Sequence, residues 1–188
     1  MTILISITVA LSLLFFFGIV MNNRIIAKKN QMIQAFGSID VYLKKRFDLV
    51  PNLVLTAKQY LSHEKEILTR ITELRTNADN ANNPEKKIEA SNELTQVIDG
   101  INLNVENYPN LKSDEQFLLL QSELSIMEEQ ISAARRAYNA GVTSYNNTIE
   151  MFPASIIAGI RKDRQAQLLE IPKEQQKEIN LNQLLNNN

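Results

Sequence analysis

The chain has 188 residues, 20 basic and 21 acidic side chains, one histidine, and neither cysteine nor tryptophan. Without cysteine there is no disulfide, no thiol chemistry and no cysteine-ligated zinc or iron–sulfur centre. Near-neutral charge with no block of five like charges argues against nucleic acid as a partner.

Residues 1–21 carry no charged side chain and read Ile3-Leu4-Ile5 through Phe15-Phe16-Phe17 to Ile19-Val20-Met21. About 20 apolar residues at a rise of about 1.5 Å span the roughly 30 Å hydrocarbon layer of a bilayer. A cleaved signal peptide would need a basic start, a shorter core and a small-residue exit. Here nothing basic precedes the core, and the exit is Val20-Met21-Asn22-Asn23. The expectation is an uncleaved single-pass anchor over 1–21. Arg24, Lys28 and Lys29 follow with no acid before Asp40. The positive-inside rule then puts the amino terminus outside and the following domain in the cytoplasm.

From Phe36 an apolar seam advances in steps of three and four: Phe36, Ile39, Leu43, Phe47, Val50, Val54, Ala57, Leu61, Leu68, Ile71, with Glu64 the one polar position on the line. This is the pattern of a helical bundle or coiled coil. Pro51 falls inside it without shifting the register. The reading is one helix continuing to about Arg75, bent near Asp48–Pro51, with a helix–turn–helix at that point as the alternative. Asn77 to Asn83 reads as a loop. Asn83-Pro84-Glu85 is a helix start, with cap, proline at the first turn and an acid beside it. The second helix reaches about Glu106, with Ala90, Leu94, Val97, Ile101 and Val105 inward, and Tyr108-Pro109-Asn110 ends it. Ser113 with Gln116 reads as a capping box opening a third helix. Its seam is Phe117, Leu120, Leu124, Met127, Ile131, Ala134, Tyr138, Gly141, Tyr145 and Ile149, up to Phe152-Pro153. The fold class is therefore all-α: a single N-terminal transmembrane helix continuing into an elongated antiparallel bundle of three to four long helices over 22–153. Residues 154–188 read as a short helix followed by a partly disordered, Asn-rich tail.

Catalysis finds little support. The single histidine, His63, stands beside Glu64 in neither a zinc-protease nor a di-iron spacing, and reads as a surface residue. Glu128-Glu129 read as a solvated face. No phosphate loop or nucleophile elbow is present, so no catalytic, cofactor or metal residue is expected. Two constellations stand out instead. Tyr138-Asn139 recurs seven residues on as Tyr145-Asn146, which places both tyrosines on one helix face and both asparagines beside it. Gly141 on the same seam admits a close neighbour. The pair reads as a buried seam with register-setting asparagines, or as a docking face for a partner helix. The second constellation, Arg46 to Leu53, puts a charge pair, Pro51 and Asn52 at mid-helix. If the helices run out and back as drawn above, Glu106-Asn107-Tyr108-Pro109 returns beside it, forming a polar knot in which Glu106 or Asp48 faces Arg46. The alternative is an exposed kink without cross-contacts.

These segments together resemble the LemA family of bacterial membrane proteins. The resemblance rests on the anchor, Ile39-Asp40-Val41, Arg46-x-Asp48-Leu49-Val50-Pro51-Asn52-Leu53-Val54, Tyr60, His63-Glu64 and Arg75. It continues through Glu106-Asn107-Tyr108-Pro109-Asn110-Leu111, Glu128-x-x-Ile131, Arg136-x-Tyr138-Asn139, Tyr145-Asn146 and Phe152-Pro153. It implies a non-enzymatic, membrane-anchored scaffold or adaptor, tied to membrane organisation or biogenesis, or a regulatory partner of a membrane zinc metalloprotease or transport machine. The partners it implies are the bilayer, a second copy of the chain, or such a protease. The chain departs from the pattern in having Met21-Asn22 where Tyr-Asn is usual, Phe36 for a frequent tryptophan, and Glu178-Ile179-Asn180-Leu181 where an apolar closing segment is usual.

Overall fold

The computed structural model describes residues 1–61, 63–81, 83–105 and 108–169, the side chains of residues 104 and 105 excepted. Among these the chain is all-α. Helix α1 runs unbroken over Thr2–Ala57, 56 residues. It is the one described helix long and apolar enough to cross a membrane, and its apolar stretch is uncovered by protein. Residues 2–21 are thus a candidate membrane anchor joined without a hinge to the bundle.

Helix α1 passes through Pro51, as its register required. Val50, Leu53 and Val54 are all fully buried around the proline. Packing on both sides offsets the missing hydrogen bond and ring clash, worth about 3 kcal/mol in an unsupported helix. The helix does not continue to Arg75, however. It tightens into a 3₁₀ turn at Lys58–Tyr60, and Leu61 is extended. A new helix, α2, occupies Glu64–Asn80. The reason lies in Glu64, the polar interruption of the seam. At the start of a helix it and Glu66 sit favourably on the amino-terminal dipole. Helix α2 doubles back along α1, so that Lys58 pairs with Glu64 at 3.5 Å and Asp48 with Arg75 at 2.9 Å.

The loop expected from Asn77 is shorter than its asparagines suggest, because α2 continues to Asn80 with Ala78 buried. Helix α3, Pro84–Val105, begins as read: Asn83 Oδ1 accepts from the Lys86 amide at 3.1 Å. A one-turn helix α4, Pro109–Lys112, leads into α5, Glu115–Glu150. Ser113 is not the cap of α5. Its hydroxyl donates to the carbonyls of Pro109 and Asn110, and Asp114 caps instead, accepting from the Phe117 amide at 2.8 Å.

Helix α5 lies antiparallel along α1 in constant register: Arg46 meets Glu128, Phe36 meets Tyr138, and Met32 meets Gly141. A Cβ on Gly141 would stand 3.1 Å from the Met32 Cα, so the two backbones approach as closely as glycine allows. Three core clusters follow this axis. The distal one centres on Phe47, Leu53, Ile71, Leu94 and Phe117. The middle one holds Ile39, Leu43, Ile131, Tyr138 and Val142. The third, nearest the anchor, holds Ile25, Tyr145, Ile149, Ala154 and Ala158. After α5 comes α6, Ala154–Arg161, then Lys162 in the left-handed region at φ 57°, and an extended segment over 163–169. Leu169 is buried in the middle cluster. The rest of the expected Asn-rich tail, from residue 170, lies outside the described residues.

Candidate functional site

Two polar constellations occupy the interior of this rod. The first sits where α1, α3 and α5 meet. Arg46 is 3% exposed despite its charge. Its Nη1 lies 2.6 Å from Glu128 Oε2 and donates to Ser91 Oγ at 3.2 Å, while Nη2 donates to Thr95 Oγ1 at 3.0 Å. Two turns further along α5, Arg135 is also buried and donates to Asn92 Oδ1 at 3.1 Å. Burial pushes the Arg46 guanidinium below its usual range, opposed by the attraction of Glu128 and Asp99. Burial lowers Arg135 as well; Glu128 opposes this and the positive charge of Arg46 reinforces it. Glu128 thus pairs directly with Arg46 and attracts Arg135 only from beyond ion-pair distance. An arginine stays charged even so, because its intrinsic pKa is so high. The cluster ties three helices in register.

The second constellation is the Tyr–Asn repeat. Tyr138 and Tyr145 point inward, 5% and 3% exposed. Tyr138 packs edge-on against Phe36, with ring centroids 5.8 Å apart. Burial raises the pKa of Tyr138, helped by Glu85. Burial likewise raises Tyr145, with Asp163 adding its charge and a hydrogen bond and Arg161 opposing. The asparagines beside them read the returning chain. Asn146 donates from Nδ2 to the Ala166 carbonyl and accepts at Oδ1 from the Ala166 amide, both at 2.9 Å. Asn139 does the same to Leu169, again at 2.9 Å for both bonds. A primary amide carries one donor face and one acceptor face, the same pair that a strand edge presents. The spacing explains the repeat. Seven helical residues rise about 10.5 Å, and three extended residues cover about 10 Å. A heptad step on α5 therefore matches a three-residue step on segment 163–169, running antiparallel.

The other expected residues separate. Asp48 faces Arg75 and not Arg46. Pro51 is half-buried within α1, and Asn52 is exposed beside a surface cleft lined by Lys45, Asp48, Leu49 and Glu123. Tyr108 does not return beside Arg46. It stands at the distal tip, its ring 5.2 Å from that of Tyr60, with Pro109 opening α4. The polar knot drawn from helix lengths is corrected accordingly: the break at Leu61 lets α2 occupy the side of α1 that α3 was expected to take. Glu106 and Asn107, its other members, lie outside the described residues. His63 is exposed at the start of α2. Glu128, read as a solvated acid, is the true partner of Arg46. The missed signal was Arg46 itself, a cation adjoining the buried line Leu43–Phe47–Val50, which demands a carboxylate from a facing helix. Among the described residues no group of three or more His, Asp or Glu is placed to hold a metal ion.

Comparison with known proteins agrees with this architecture. Residues 35–182 match the model of the LemA family. A protein named Protein LemA, from Metamycoplasma hominis, is 25% identical over 149 residues, which cover 79% of this chain and 68% of that protein.

Proposed function

The chain belongs to the LemA family, and from that premise we propose that it works as a non-enzymatic scaffold or adaptor held at a bacterial inner membrane, with its bundle on the cytoplasmic side. The observation that carries this reading is the continuity of α1. One helix serves as the candidate anchor and as the spine on which α5 packs. From Asn22 to Ala57 it projects roughly 50 Å beyond the apolar run. A bundle built on such a spine has no hinge at the membrane, which suits a part that holds other components at a set distance and angle. Arg24, Lys28 and Lys29 favour the cytoplasmic orientation. The chemistry of the interior is in keeping: Arg46 is held by Glu128, Ser91 and Thr95, both asparagines of the repeat are engaged by the returning segment, and the lone histidine is solvent-exposed.

Purification of the intact, detergent-solubilised protein followed by mass spectrometry tests the proposal. A scaffold yields self-assembled protein or a stable set of membrane components. Stoichiometric recovery of a zinc metalloprotease would replace the scaffold reading with the regulatory one. Orientation is tested on the same cysteine-free background. A cysteine placed on the exposed face of α2, for instance Thr72→Cys, should resist a membrane-impermeant maleimide in intact cells. Ready labelling would reverse the topology.

A further inference from the structure

The corner between α5 and α6 leaves four large apolar side chains uncovered: Phe152 at 80% exposure, Ile160 at 74%, Met151 at 65% and Ile156 at 56%. Single exposed apolar residues are ordinary, but a cluster of this kind needs a reason. Its height on the rod supplies one. The register that sets Gly141 against Met32 brings the end of α5 level with Asn22–Asn23. Arg161 donates to Asn22 Oδ1 at 2.6 Å, and Ala154 and Ala158 close over Ile25. The corner therefore lies against the first turn of α1 beyond the apolar run. Ala154, Ile157 and Ala158 face inward, while Met151, Phe152, Ile156 and Ile160 face away.

We propose that this corner is a second membrane contact, with Met151, Phe152, Ile156 and Ile160 seated in the interfacial layer of the same bilayer that residues 2–21 cross. The inference rests on the reading of those residues as an anchor. An amphipathic helix with apolar side chains on one face and cations at its rim is the usual form of such a contact. The cations here are Arg24, Lys28 and Lys29 on α1, and Arg161, Lys162 and Arg164 beside α6. Against these six cations stand two neighbouring acids, Asp163, which pairs with Arg161 at 2.9 Å, and Glu150, which accepts from Gln165. The collar is net positive and suits anionic headgroups. Two contacts, one through the bilayer and one on it, would hold the rod at a defined tilt.

Because the chain has no tryptophan, each introduced one is a sole reporter. The full-length protein is reconstituted in vesicles of phosphatidylcholine and phosphatidylglycerol whose acyl chains are brominated near the headgroup end. Phe152→Trp and Ile160→Trp report on the corner, Phe15→Trp on the anchor, and Leu103→Trp, exposed on distal α3, on the aqueous end. The expected result is quenching of Phe15→Trp together with roughly two-fold loss of emission from at least one corner variant, and iodide quenching alone at Leu103→Trp. If Phe15→Trp is quenched by bromine while both corner variants respond only to iodide, the corner contact is overturned and the anchor stands. Blue-shifted corner emission insensitive to both quenchers also overturns it, since the cover is then protein. If Phe15→Trp itself escapes the brominated chains, anchor and corner contact fall together.

Discussion

Replacing Asn146 by alanine should release the returning segment and leave the bundle folded. Each asparagine makes two hydrogen bonds to the backbone of 163–169, all four at 2.9 Å. A typical intramolecular hydrogen bond contributes about 0.5–1.5 kcal/mol net, so Asn146→Ala or Asn139→Ala should weaken the segment by about 1–3 kcal/mol. That corresponds to an open population raised about 5- to 150-fold at equilibrium. The double variant should fall short of additivity. Both asparagines hold the same stretch, and the second substitution acts on a segment already partly free. What then remains is the burial of Leu169, worth roughly 1.5–3 kcal/mol, with the contacts of Asp163 to Arg161, Gln165 to Glu150 and the Tyr138 hydroxyl to the Gln167 carbonyl. Native-state hydrogen exchange on the full chain in detergent reads this directly at the amides of Ala166 and Leu169. Core amides such as those of Ile131 and Leu94 should keep their protection, because the opening is local. Unchanged exchange at Ala166 and Leu169 in both single variants would refute the argument, and so would an equal loss of protection throughout the core.

Gly141→Ala should destabilise, with overpacking of about 1–3 kcal/mol against the Met32 backbone outweighing the gain of up to about 1 kcal/mol in helix propensity. Gly37→Ala, where a Cβ meets nothing within 4 Å, should instead stabilise by about 0.5–1 kcal/mol; the two denaturation midpoints, moving in opposite directions, make the check. Glu128→Ala strips the buried Arg46 of its ion-pair partner and should cost on the order of 3 kcal/mol, whereas Arg46→Met removes the buried charge itself and should cost less. Urea melts that reverse this order would show that Glu128 does not stabilise the buried Arg46. Alkaline titration should also find the tyrosines. Burial raises Tyr138 and Tyr145 in the folded state, so their contribution to stability is complete below the unfolded tyrosine value of about 10 and is lost as pH rises through the folded values. Tyr138→Phe and Tyr145→Phe should each flatten the fall in melting temperature above that pH.

The sequence by itself determined everything that depends on one segment and the period of its apolar residues. The charge-free run of residues 1–21, the seam from Ile39 to Ala57, the start at Asn83-Pro84 and the line from Phe117 to Ile149 are all local patterns, and burial follows the two seams. The inward tyrosines and the close approach at Gly141 were legible for the same reason. Only the tertiary structure decided which segments meet. Whether α1 ended at Pro51, Leu61 or Arg75 depended on packing around the proline and on the dipole seat offered to Glu64. That break set the path of α2 and hence the partners of every residue in the polar motif. Arg46 found Glu128 and Asp48 found Arg75, pairings 82 and 27 positions apart that no local period encodes. The asparagine repeat gave its heptad spacing openly, but the partner was an extended stretch with no periodicity of its own. Its match is a coincidence of two rises, seven helical residues against three extended ones, and that becomes visible only when the chain has turned back on itself.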